Sequence, residues 1–171
     1  IEIEVLCKRL ASDFGSVVTG QGGNDMERER NFRTRALLAF VLVQQAGATI
    51  EEAVGAIVDG GGDHGIDAVH LAAGNTLWLL QSKYIDAAIG EPDLGDVHKF
   101  CTGVRDLLAQ RWVRFNASLN HKKDRLTRAL DDETWRVQVL LVHTGGAISD
   151  DRRNLFADLE RDLNAGNPDF L

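Results

Sequence analysis

The chain has 171 residues, 44% hydrophobic and 26% charged, with a formal net charge of −7. That is enough for a real core, and it argues against a uniformly basic nucleic-acid coat. Ala36 to Val43, the longest apolar run, falls well short of the ~20 residues a membrane span requires.

Cys7 and Cys101 are far apart and lack metal-ligand spacing, so a reducing, cytoplasmic setting without structural disulfides is expected. The first fifteen residues mix Ile, Val and Leu with charges and suit either a helix or a strand. Gly15 to Gly23 is glycine-rich and expected to be a loop. Asn24 or Asp25 can cap a helix beginning near Met26, with Glu27 and Glu29 at its positive end. From Phe32 to Val43 that helix turns almost wholly apolar, so its second half should be buried on most sides, and Gly47 stops it. Thr49-Ile50-Glu51-Glu52 has capping-box spacing and opens a short helix through about Val58.

Asp59 to Gly65 carries four glycines and is expected to be a loop feeding the strand that holds Asp67. Two apolar strands flank Ala73-Gly74-Asn75, a hairpin signal. A three-residue loop there sets Ala72 against Thr76 and Asp67 against Gln81, whereas a two-residue loop would turn Gln81 and Lys83 to the other face. Gln81 and Lys83, two apart in a strand, leave the same face.

Pro92 and Asp93 start a helix through about Leu108, with Leu94, Val97, Phe100, Val104, Leu107 and Leu108 as its apolar stripe. A second, basic helix covers about Ala117 to Leu130. Trp135 to His143 reads as a strand, and Ser149 caps a final helix ended by Gly166. Both strand faces carry apolar residues, which predicts an α/β fold: a small mixed sheet with helices on both faces.

The string Asp59-Gly-Gly-Gly-Asp63-His-Gly-Ile-Asp67, followed by Gln81-Ser82-Lys83-Tyr84, resembles the PD-(D/E)xK nuclease superfamily. It is most similar to the Mrr-type restriction endonucleases and the abortive-infection phage-resistance proteins. The likeness continues into Val97 to Gly103 and is strongest from Asp59 to Tyr84. It implies a restriction-endonuclease-like fold and a metal-dependent endonuclease domain acting on DNA, with RNA left open, in phage defence or restriction. Residues 1–171 would form one nuclease-like domain, the N-terminal part of a longer protein.

The resemblance assigns catalysis to Asp67, Gln81 and Lys83. One Mg²⁺, with Mn²⁺ substituting, would take Asp67, the Gln81 amide oxygen and the Ser82 carbonyl. Lys83 would orient water or neutralise the transition state. Gln in place of the commoner Glu removes a negative charge, so another carboxylate is needed. Asp63 ranks first, ahead of Asp59, Glu29, Glu51 and Glu52.

Between Lys99 and Arg128 eight basic residues face two acids, a local +6 that leaves −13 elsewhere. Lys122, Lys123, Arg125 and Arg128 are candidate nucleic-acid contacts on that stretch. Paired cuts on both strands would require a homodimer. Three competing readings stand beside this one: a structural Asp67–Lys83 ion pair, a Ca²⁺-stabilised loop, and a nuclease-like scaffold that binds nucleic acid or a partner without cutting. His64 is expected as a solvent-facing loop histidine, His70 as core or surface and His143 as structural, and Trp78 is expected in the core.

Overall fold

The computed structural model describes residues 3–86 and 88–165. Three strands, β1 (Ala68–Ala72), β2 (Thr76–Lys83) and β3 (Arg136–His143), form one sheet in the order β1-β2-β3. β1 and β2 are an antiparallel hairpin in which Ala72 faces Thr76. Gly74 and Asn75 take positive φ, 76° and 55°, to close the three-residue turn the sequence predicts. β3 then runs parallel to β2, with Lys83 level with His143. A parallel neighbour needs a long crossover, and residues 84–135 supply it.

The central strand β2 alternates between two cores. Leu77 and Leu79 join Val97, Phe100, Val104, Leu107 and Leu159 on one face. Leu80 joins Leu10, Phe14, Leu38 and Leu42 on the other. The first core is roofed by α4 (Leu94–Leu108), α5 (Ala117–Asn120), α6 (Lys123–Leu130) and α7 (Asp150–Asn164). The second is roofed by α1 (Ile3–Phe14), α2 (Asp25–Gln45) and α3 (Ile50–Gly55). This is the α/β fold with helices on both faces that the two-sided apolar strands predict. Among the described residues no helix is long and apolar enough to cross a membrane.

Local signals set most element ends. The Asn24 side chain accepts the Glu27 N–H at 2.9 Å and starts α2. The Thr49–Glu52 capping box closes in both directions at the start of α3. Asp93 accepts the N–H groups of Gly95 and Asp96 at the start of α4. Within the first fifteen residues, open between helix and strand, Ile3–Phe14 are helical.

Five expectations need correction. The short helix ends at Gly55 rather than Val58, because Val58 N–H turns to the Asp67 carbonyl and Ile57 bridges Ala68. Strand β1 begins at Ala68, one residue after Asp67. The basic helix 117–130 is two pieces, parted at His121 and Lys122. There the Asn120 amide donates to the carbonyls of Trp112, Phe115 and Asn116, which competes with helix continuation. Leu94 is exposed and drops out of the apolar stripe. Ser149 stands at the start of α7 without a side-chain cap bond, its Oγ accepting from Arg152 instead. The helix stop expected at Gly166 lies outside the described residues.

Candidate metal centre

Asp67, Gln81, Ser82 and Lys83 line one cavity of about 390 Å³, together with Asp59, Asp63 and Asp96. Arg30, Asn31 and Thr34 of α2 and Lys99 of α4 complete its wall. The hairpin delivers the sheet residues. Gln81 and Lys83 point to the α4 side of β2, while the Ser82 hydroxyl donates to the Thr34 carbonyl at 3.1 Å on the α2 side. Asp67 reaches the cavity by another route than the expected Asp67–Gln81 rung. Its N–H donates to the Leu80 carbonyl at 2.8 Å, and Ala68 already faces Leu80, so regular pairing stops there. Its Oδ2 then accepts the Ser82 N–H at 2.8 Å, which fixes the carboxylate beside β2.

The glycine-rich loop brings in the other acids. One carboxylate oxygen each from Asp59, Asp63 and Asp67 lies within 4.8 Å of the other two. Asp63 is braced: its Oδ1 accepts the Gly65 N–H at 2.8 Å and Lys99 Nζ at 3.1 Å, and its Oδ2 accepts the Gly60 N–H at 3.2 Å. The loop is pressed onto α4. Gly65 has φ +84°, and a Cβ there would stand 2.8 Å from the Phe100 backbone nitrogen. A Cβ at Gly103 would land on the His64 carbonyl oxygen. Two glycines thus let the acid loop lie directly on helix backbone.

Electrostatics follow from this crowding. Burial pushes the Asp67 carboxyl up to about 7, and the neighbouring Asp59 and Asp63 carboxylates add to it. The Ser82 N–H and the Lys83 ammonium pull the other way. Asp59 is also raised, by burial and by Asp63, against Arg35, whose Nε lies 3.6 Å from it. Gln81 is 2% exposed, and its Oε1 has no hydrogen-bond partner among the described residues. Its Nε2 makes one long bond, 3.4 Å, to the Asp96 carbonyl. A buried amide oxygen without a donor is costly, on the order of 1–3 kcal/mol, unless something electropositive meets it.

The residues fit a hard divalent cation. Three carboxylates and one orphan amide oxygen are an all-oxygen donor set, and Lys99 and Arg35 offset only part of the acids' mutual repulsion. Asp59, placed after Asp63 from sequence, belongs to this set on the same footing as Asp63. Glu29, Glu51 and Glu52 do not line the cavity: Glu29 holds Arg33 at 2.8 Å and Glu52 caps α3.

Lys83 Nζ pairs with Asp96 Oδ2 at 2.8 Å, so the buried Asp67–Lys83 pair considered from sequence is not the arrangement found. Asp96 and Lys99 were missed by sequence reasoning. Their signal was the spacing three apart near the start of a capped helix, which puts both on one face. Lys122, Lys123, Arg125 and Arg128 lie elsewhere. Lys122 and Arg125 line a separate cavity of about 220 Å³ with Glu52 and His70. Lys122 Nζ donates to the Gly55 carbonyl there.

Comparison of the chain with protein-family models, curated proteins and solved structures found no match. The functional reading therefore rests on the residues themselves.

Proposed function

We propose that this chain is a metal-dependent nuclease domain of the PD-(D/E)xK kind, hydrolysing DNA phosphodiester bonds in restriction or phage defence. The observation that carries it is Gln81, whose buried Oε1 has no partner among the described residues, lining the same cavity as the clustered Asp59, Asp63 and Asp67, with Lys83 two residues further along the strand. A purely structural acid cluster has no use for a buried amide oxygen left without a donor.

Asp67, Gln81 and one or both of Asp59 and Asp63 would hold Mg²⁺ or Mn²⁺. When bound, the ion supplies Lewis-acid stabilisation of phosphoryl charge and a more acidic water. Asp67 is held for this by the Ser82 N–H, and Ser82 is held in turn by α2. Lys83 brings an ammonium with three donors and no acceptor, suited to a phosphoryl oxygen or an attacking water. Asp96 orients that ammonium in the absence of substrate. Arg30, exposed on the cavity wall without an acid partner among the described residues, suits an incoming phosphate.

The Lys83–Asp96 pair also favours a second reading, a nuclease-like scaffold that binds nucleic acid or a protein partner without cutting, its lysine permanently engaged. Nicking of supercoiled plasmid separates the two. Cleavage is expected with Mg²⁺ or Mn²⁺, none in EDTA, and at least a hundredfold loss in Lys83→Ala and Asp67→Ala proteins that still melt cooperatively. Folded variants that nick at the wild-type rate sink the assignment. A melting shift with Ca²⁺, and no cleavage under any metal, would instead mark a cation-stabilised structural domain.

A further inference from the structure

The stripe of α4 that faces the acid loop continues past the cavity. Asp96, Lys99, Gly103 and Asp106 recur along one helix face. They meet, in order, Lys83, Asp63, the His64 carbonyl and a cluster of cations. Asp106 is the far end of this stripe and only 1% exposed. Its Oδ2 sits 2.7 Å from His64 Nε2 and accepts from Arg114 NH1 at 2.6 Å, and its Oδ1 accepts from Arg111 NH1 at 2.7 Å. Burial by itself would raise the Asp106 carboxyl, but the bonds from His64, Arg114 and Arg111 bring it down to about 2.

Its two arginines are not buried with it. Their side chains are 58% and 50% exposed, and each spends one terminal nitrogen on Asp106. The other guanidinium N–H groups have no acceptor among the described residues. One carboxylate against two guanidiniums leaves a net positive charge, facing solvent, on a chain of net −7. The short 3₁₀ turn between them, Trp112–Arg114, also presents Val113 at 96% exposure. A stability role would be met by one arginine. Two half-exposed guanidiniums oriented by the same buried acid form a preorganised fork for an oxyanion.

We infer that Arg111 and Arg114 clamp the phosphodiester backbone of the DNA strand leading to the metal centre. This rests on the nuclease reading and extends it. Seven residues of helix separate Lys99 from Asp106, roughly 10 Å at 1.5 Å per residue. At about 3.4 Å per nucleotide the clamp grips the backbone some three steps from the bond to be cut. His64, the residue after Asp63, meets Asp106 at 2.7 Å, so the clamp and the acid loop share one support.

The test is anisotropy titration of a labelled 20-base-pair duplex with Mg²⁺ present, in a Lys83→Ala background that spares the DNA. Arg111→Ala/Arg114→Ala should lose at least tenfold in affinity. The slope of log affinity against log salt should shrink by about 1.8, two phosphates at 0.9 each. Arg153→Ala/Arg161→Ala, removing two exposed arginines of α7, should stay within twofold. Where the double variant fails to melt cooperatively, Asp106→Asn/Arg111→Gln/Arg114→Gln removes the buried charge as well and takes its place. Affinity and slope unchanged in a folded variant overturn the clamp, and the nuclease reading survives if wild type still nicks plasmid. Protein that neither binds the duplex nor nicks overturns both.

Discussion

Replacing Asp67 by Asn should stabilise the metal-free protein at alkaline pH. The Asp67 carboxyl titrates at about 7 in the fold against an ordinary 3.8. Between those values the folded chain holds a proton that the unfolded chain has released, so this group makes stability fall as pH rises from about 4 to 7. Above 7 the full penalty applies. Three pH units at 1.36 kcal/mol each put its upper limit at about 4 kcal/mol. Asn cannot ionise, and its Oδ1 can still accept the Ser82 N–H. Its amide N–H groups face Asp59 and Asp63, which welcome a donor. We expect a gain of about 2–4 kcal/mol at pH 8 in EDTA, or roughly 5–12 °C in Tm for a chain of this size. The gain should shrink to nearly nothing at pH 4.5. Mg²⁺ should raise the Tm of wild type but not of Asp67→Asn, because the variant lacks the anionic ligand. Calorimetric or chemical melts at the two pH values, with and without metal, read all four quantities. An Asp67→Asn protein no more stable than wild type at pH 8, or a difference that ignores pH, would refute the picture of a crowded, partly protonated acid cluster.

The same proton governs metal binding: Mn²⁺ affinity by calorimetry should rise about tenfold per pH unit below 7 and level off above it, with proton uptake by buffer on binding at pH 6. Flat affinity from pH 6 to 8 would exclude Asp67 as a ligand. Gln81→Glu adds a carboxylate where Oε1 now lacks a donor, so it should raise Mg²⁺ affinity at least tenfold and lower metal-free stability by about 1–3 kcal/mol at pH 8. A variant no tighter for metal and unchanged in stability would place Gln81 outside the acid cluster. Gly103→Ala gains about 1 kcal/mol of helix propensity, yet it should destabilise the protein and weaken metal binding, because its methyl displaces the His64 carbonyl and the loop behind it. A stabilised Gly103→Ala protein in urea melts would show that the loop does not lie on α4.

The amino-acid sequence alone was enough for whatever a few neighbouring residues decide. Asn24, Thr49 with Glu52, and Asp93 start their helices because capping groups and orphan N–H groups lie within one turn of each other. Gly74 and Asn75 close the hairpin because each tolerates positive φ, and that turn brings Gln81 and Lys83 to one face beside Asp67. Apolar residues on both faces of β1, Val69 and Leu71 on one and Ala68 and Ala72 on the other, disclosed a sheet covered on both sides. Packing decided the rest. Asp59 joins Asp63 and Asp67 only because Gly65 and Gly103 let the loop rest on α4. Lys83 meets Asp96 rather than Asp67, and Asp106 gathers His64, Arg111 and Arg114, through contacts between elements far apart in the chain. Carboxylates and guanidiniums carry no periodic signature of their partners. Their pairing depends on which surfaces the two cores bring together, and that is settled only when the helices close over the sheet.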